Sequence, residues 1–151
     1  MDATDRKILA ILQEDASLPV AEIASRVNLS QTPCWRRIQK LTAQGVIRKT
    51  VALLDPDQIG MSITVFVSIQ TGDHSAEWLA KFADILTAMP QVMDVYRMAG
   101  ETDYMLRVAV PNMPAFDAFY RELIGAVPLK NVTSQFAMER VKSTTAYPLP
   151  A

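Results

Sequence analysis

The chain holds one cysteine and one histidine among its 151 residues. A lone thiol, Cys34, has no partner for an internal disulfide and suits a reducing compartment. With His74 as the single imidazole and no Cys/His cluster, no structural zinc site is expected. Glycine is scarce at five residues, and none sits in a loop of the kind that cradles phosphate. No apolar run approaches the ~18 residues needed to span a bilayer. The opening Met1-Asp2-Ala3-Thr4-Asp5-Arg6-Lys7 is charged at once, unlike a signal peptide. Nucleophile elbows and metal-ligand sets are missing as well. The expectation is a soluble cytoplasmic protein without membrane association, metal, cofactor or catalytic residues.

What is present is a hydrophobic content of 50%, enough to fill the core of one domain or of two small ones. The net charge of −1 hides an asymmetry. Residues 1–50 carry eight Lys/Arg against five Asp/Glu, and residues 51–151 carry seven against eleven. The basic N-terminal part is the candidate for phosphate contact.

Capping candidates Asp2 and Thr4 precede a stripe of Ile8, Leu9, Ile11 and Leu12, which predicts a helix over about 3–15. Leu18-Pro19 breaks the chain. Val20, Ile23, Ala24 and Val27 then recur at the spacing of a short helix with one buried face. Asn28-Leu29-Ser30 reads as a tight turn, and Ser30 can cap a third helix with Pro33 in its first turn. Trp35, Ile38 and Leu41 are its expected apolar face, and Gly45 its stop. Three helices, the last two joined by a tight turn, make a helix-turn-helix. Val46 to Leu54 reads as extended. We expect a DNA-binding domain over 1–52, a linker over 53–60 and a second domain over 61–151.

The second domain alternates. Ile63, Val65, Val67 and Ile69 share one strand face. A helix follows with Trp78, Leu79, Phe82, Ile85, Leu86 and Met89 on one side, ended by Pro90. Strands are expected at Val92–Ala99 and Tyr104–Val110 around a turn at Gly100–Asp103. Another helix carries Phe116, Phe119, Tyr120, Leu123 and Ile124, and a last strand covers Asn131–Val141. The order β-α-β-β-α-β is ferredoxin-like, so the fold class is α+β. Helices cover one face of such a sheet, and a second copy of the chain is the simplest cover for the other.

Ser30-Gln31-Thr32-Pro33-Cys34-Trp35-Arg36-Arg37-Ile38-Gln39-Lys40 places three cations within five positions. One reading is a solvated helix face. The preceding helix and turn favour a recognition helix, whose N-terminal residues lie nearest base edges. Gln31, Thr32, Trp35 and Arg36 are then candidates for base or sugar contacts, with Ser30 at the cap. Arg37 and Lys40 are candidates for phosphates, with Arg48 and Lys49 adding backbone contacts. Trp35 has a second reading as a core anchor. Cys34 reads either as a small packed residue or, beside arginines at a helix start, as an activated thiol. Gly100-Glu101-Thr102-Asp103-Tyr104 carries two carboxylates in a turn, which could suggest acid-base chemistry, but nothing else in the sequence supports that and ordinary hairpin chemistry accounts for it.

These residues together resemble the Lrp/AsnC family, the bacterial feast/famine transcriptional regulators. The resemblance runs over essentially the whole chain. It rests on Asp5-Arg6-Lys7-Ile8-Leu9, on Leu29-Ser30 with Thr32-Pro33-Cys34 and Arg37, and on Leu41 with Gly45-Val46-Ile47. Ala52-Leu53-Leu54-Asp55-Pro56, Gly100 with Asp103-Tyr104, and Met138-Glu139 with Val141-Lys142 complete it. The family implies a winged helix-turn-helix and a ferredoxin-like ligand-sensing (RAM) domain. It also implies double-stranded DNA as partner, dimers formed through the sheets, and assembly up to octamers. An amino acid effector would bind between subunits at Gly100, Thr102, Asp103 and Tyr104. Met98 and Ala99 precede them, and Gln135 and Ala137 would join from the last strand, contributed by a neighbouring chain.

The chain departs from the common pattern at Glu101-Thr102, where Asp and an aromatic are frequent, which argues against leucine as effector. Arg97 to Glu101, Ser134 to Glu139, Trp35 after Thr-Pro-Cys, and Ser75 with Glu77-Trp78 look closest to the subgroup that governs cysteine detoxification. The expected function is a sequence-specific regulator responsive to a small amino acid, cysteine foremost. The alternative is an architectural DNA-wrapping protein that needs no effector.

Overall fold

The computed structural model describes residues 1–150. They form two compact units, residues 1–53 with 141–150, and Leu54–Arg140.

The first unit contains α1 (Ala3–Glu14), α2 (Val20–Arg26) and α3 (Gln31–Ala43). A reciprocal capping box starts α1: the Asp5 N–H donates to Asp2 Oδ1 at 2.9 Å and the Asp2 N–H to Asp5 Oδ2 at 3.0 Å. Two orphan donors are satisfied at once. Both later helix ends use left-handed closures. Asn28 has φ +57°, the Leu29 N–H reaches Ala24 O at 2.9 Å, and the Asn28 N–H reaches Ser25 O at 3.2 Å. Gly45, at φ +73°, repeats this pairing after α3, with Val46 N–H on Leu41 O and Gly45 N–H on Thr42 O, both 3.0 Å. These are Schellman motifs, which stop each helix and re-aim the chain. Asn28 thereby sets the turn of the helix-turn-helix. Ile8, Ile23, Ala24, Val27 and Cys34 form the core beneath it. No strand lies between Gly45 and Met61, so the extended segment after α3 forms no paired hairpin within the chain.

Expected boundaries assign everything from 61 on to the second domain. Residues 141–150 pack with the helical unit. The Gln13 side-chain amide holds both backbone groups of Tyr147, accepting from its N–H at 2.7 Å and donating to its carbonyl at 3.2 Å.

The second unit is a four-stranded sheet of β1 (Ile63–Gln70), β2 (Val92–Arg97), β3 (Tyr104–Val110) and β4 (Asn131–Phe136). The strand order is β2-β3-β1-β4, with every neighbouring pair antiparallel. Helices α4 (Ala76–Ala88) and α5 (Met113–Ala126) are capped by Ser75 on the Trp78 N–H and by Asn112 on the Ala115 N–H. Val65, Val67 and Ile69 from β1, with Tyr104, Leu106, Val108 and Val110 from β3, pack against Trp78, Phe82, Phe116, Phe119 and Leu123. This is the expected βαββαβ arrangement. Phe66 and Tyr96 lie on the opposite face and are exposed. Two strands end earlier than expected. A bulge at Met93 interrupts β2, and β4 stops at Phe136, although the Ala137 N–H still reaches Thr64 O at 2.9 Å.

Candidate functional site

The recognition-helix candidate is α3, and its packing is set by which residues enter the core. Cys34 is 0% exposed and Leu41 is buried, with Ile38 partly buried between them. Trp35 is 51% exposed, which corrects its assignment to the apolar face and rules out its reading as a core anchor. The reason is angular: at about 100° per residue, Cys34, Ile38 and Leu41 share a face and Trp35 turns away from it. Burial raises the Cys34 thiol pKa against the opposing charge of Arg37, so the thiol is poorly placed as a nucleophile.

Gln31, Thr32, Trp35, Arg36 and Lys40 are exposed on α3, and Ser30 stands exposed at its N-cap. Ser30 supplies the cap position but makes no side-chain capping bond. Gln39 is exposed on the same surface, although neither charge nor motif marks it. Its spacing of seven from Thr32, two helical turns, was the available signal.

Arg37 behaves differently from its neighbours. Its Nη1 donates to Asp2 Oδ2 and to Asp5 Oδ1, each at 2.7 Å. The Asp5 side chain is 12% exposed. The Asp5 carboxyl lies below the usual carboxylate range, first because it accepts the Asp2 backbone N–H and then because of Arg37, against the opposing effect of burial. Asp2 is lowered by the Asp5 N–H and by Arg37, and Arg37 is raised by both carboxylates. The cation assigned from sequence to phosphate is therefore compensated within the unit, where it ties α3 to the start of α1. Arg36 and Lys40 have no ion pair among the described residues. They line an open cleft of about 520 Å³ with Met1, Asp2, Asp5 and Arg37.

The other candidate site is the β2–β3 turn. Gly100 takes φ +121°, a conformation that favours glycine. The Met98 N–H donates to Asp103 O at 2.8 Å, and the Asp103 N–H donates to Ile69 O at 2.9 Å. Asp103 Oδ2 accepts the Thr71 N–H at 2.8 Å, and Gln70 Nε2 donates to Glu101 O at 2.7 Å. The turn is thus pinned to the end of β1. Met98, Ala99 and Gly100 are exposed, and Thr102 and Asp103 are partly exposed.

Tyr104 is placed differently from its neighbours in the turn. It is 6% exposed, with its ring 5.2 Å from Phe82 and 5.9 Å from Trp78. Its side chain serves the core rather than the surface of the turn, because it shares strand parity with Leu106 and Val108. Gln135 and Ala137 do not join the turn within one chain. Gln135 of β4 pairs opposite Phe66 of β1, and the Ala137 N–H donates to the carbonyl of Thr64, which faces Ala109 on β3. The five residue steps from Tyr104 to Ala109 span about 17 Å along the strand.

A tri-helical helix-turn-helix with an exposed polar and cationic helix, and a ferredoxin-like sheet with a braced surface turn, define a DNA-binding protein with a separate ligand-binding module. Comparisons with known proteins agree. Residues 1–42 match the AsnC-type helix-turn-helix domain, and residues 64–147 match the Lrp/AsnC ligand binding domain. The chain belongs to the Lrp/AsnC family of transcriptional regulators. It is 48% identical over 150 residues to the DNA-binding transcriptional activator DecR of Escherichia coli K12, covering 99% of each chain. Among solved structures, it resembles an AsnC family transcriptional regulator from Agrobacterium tumefaciens at 54% identity and TM-score 0.95, covering 98% and 97% of the two chains. A Neisseria meningitidis transcriptional regulator in complex with L-Met is 32% identical with TM-score 0.93, covering 98% and 96%. These relatives are regulators rather than enzymes, and no helix among the described residues is long and apolar enough to cross a membrane.

Proposed function

We propose that this DNA-binding regulator acts in the cytoplasm on specific sites and responds to a small sulfur-containing amino acid, cysteine foremost. The observation that carries the reading is the braced turn at Gly100–Asp103, which includes the small Thr102. Its exposed surface offers backbone and a carboxylate to an amino acid zwitterion. A methionine complex of a relative supports the chemical class, and the likeness to the cysteine-detoxification subgroup supports cysteine within it. Gln31, Thr32, Trp35 and Arg36 would meet bases or sugars, and Lys40 phosphate, with Ser30 beside them. Arg37 would seat the helix. The exposed sheet face would be covered by a second copy, with Gln135 and Ala137 of that copy completing the effector site. Two recognition helices would then occupy successive major grooves of a near-palindromic site.

The test is thermal unfolding with each of the twenty amino acids, followed by DNA retention with any that stabilise. A ligand held at about 100 times its Kd adds ~2.7 kcal/mol, easily seen as a shift in Tm. Cysteine is expected to give that shift and to change DNA retention, because an effector acts through unequal affinity for two states. Silence from all twenty would support the architectural reading instead.

Asp103 separates two roles within the turn. Asp103→Asn keeps an oxygen for the Thr71 N–H but removes the charge that would pair an ammonium. We expect it to weaken effector binding by roughly tenfold or more while leaving Tm nearly unchanged. Asp103→Ala is expected to lose both effector binding and stability. Normal effector affinity in the asparagine variant would remove Asp103 from the pocket.

A further inference from the structure

The exposed arc of α3 is divided by chemistry. With Gln31 at zero and steps of about 100°, Trp35 falls near 40°, Gln39 near 80° and Thr32 near 100°. Arg36 follows near 140° and Lys40 near 180°, while Cys34 and Leu41 occupy the buried side around 280–300°. One flank is therefore neutral and the adjoining flank is cationic. Gln31, Trp35 and Gln39 form a single row at i, i+4 and i+8, with neighbours about 5–6 Å apart.

An indole left 51% exposed costs hydrophobic burial that the core of this unit does not need, since Cys34, Ile38 and Leu41 already fill the contact. Major-groove edges offer partners for such a row. Glutamine pairs bidentately with adenine N6 and N7, and an apolar side chain contacts the 5-methyl group of thymine. Arginine and lysine on the next flank suit guanine or phosphate.

We propose that Trp35 is a specificity-determining residue that reads a thymine methyl group in the major groove. Gln31 and Gln39 read adenines on either side, so each half-site holds an A·T-rich core bordered by the contacts of Arg36 and Lys40. This deepens the DNA-binding reading above and rests on it. It assigns to Trp35 an apolar contact with one base rather than sugar packing, and it gives Gln39 a role that charge and motif did not suggest.

The test begins with selection of a preferred duplex from random sequence by the full-length protein. Each thymine of a half-site is then replaced by uracil, which removes only the methyl group. At one thymine per half-site, uracil is expected to weaken binding about fourfold, the worth of one buried methyl. In Trp35→Ala the same replacement should have no further effect, and Trp35→Phe should restore part of the difference. Because Trp35 is half exposed, unchanged Tm in both variants serves as the folding control. Gln39→Ala should relax the preference for one adenine. An undiminished uracil effect in Trp35→Ala would overturn the proposal, as would an equal loss by that variant on selected and random duplexes. If selection returns no preferred sequence, the sequence-specific reading itself fails, which is a different outcome from loss of the Trp35 contact alone.

Discussion

Phe82→Ala is expected to destabilise the sheet unit by about 3–5 kcal/mol, the range for removing a buried phenyl ring. Phe82 is 1% exposed, stacked on Trp78 at 4.7 Å and edge-on to Tyr104 at 5.2 Å. Truncation removes both ring contacts, each worth about 0.5–1.5 kcal/mol beyond burial, and leaves a cavity between α4 and β3. For a unit of this size, 1 kcal/mol moves Tm by about 4–8 °C, so calorimetry should show a fall of well over 10 °C. The effect should reach function, since Tyr104 begins β3 directly after the candidate effector turn. Loosening its ring frees the backbone that Asp103 braces against β1, and effector affinity should fall with stability. A loss below about 1 kcal/mol would mean the cluster does not organise this end of the sheet.

The cluster also shows what the sequence made legible. Alternation in β1 placed Val65, Val67 and Ile69 on the core face, because period-2 burial is a local signal, and in β3 Leu106, Val108 and Val110 follow the same rule. The same parity includes Tyr104, so its ring is buried even though its backbone adjoins the turn that the family motif marks. In α3 the sequence placed Trp35 with Ile38 and Leu41 on the apolar face, although Cys34, Ile38 and Leu41 follow helical spacing more faithfully, as the packed reading of Cys34 allowed. Two further features had no local trace. Arg37 meets acids more than thirty positions upstream, and Gln13 holds Tyr147 across 134 positions. Charge clustering in sequence marks a surface, but it does not reveal which cation is already paired. The effector turn was readable as a turn from Gly100, while the apparent distance of Gln135 and Ala137 from it emerges only once strand order is known.

That pairing yields the second large effect, a split between adjacent arginines. Arg36→Ala is expected to lower affinity for a selected DNA site by about 10- to 100-fold, the cost of a lost base contact, with little change on random duplex and little change in Tm. Arg37→Gln should do the reverse. It strips Asp2 and Asp5 of their cation and unseats α3 from α1, so Tm falls and binding to all duplexes weakens together. If Arg37 makes no phosphate contact, the slope of log affinity against log salt stays near the wild-type value in that variant, whereas Lys40→Gln lowers its magnitude by about 1. A salt slope reduced by Arg37→Gln would return Arg37 to the phosphate-contacting set. Acid provides an independent check on the same seat. Folding lowers the Asp5 and Asp2 carboxyl pKa values below their ordinary value of 3.8, so the charged forms stabilise the folded unit. Their contribution is complete above that value and is lost as pH falls through the depressed folded values. Asp5→Asn should therefore lower stability at neutral pH and flatten its decline across roughly pH 2–5. A decline as steep as that of the wild type would show that the acids at the head of α1 do not hold the recognition helix in place.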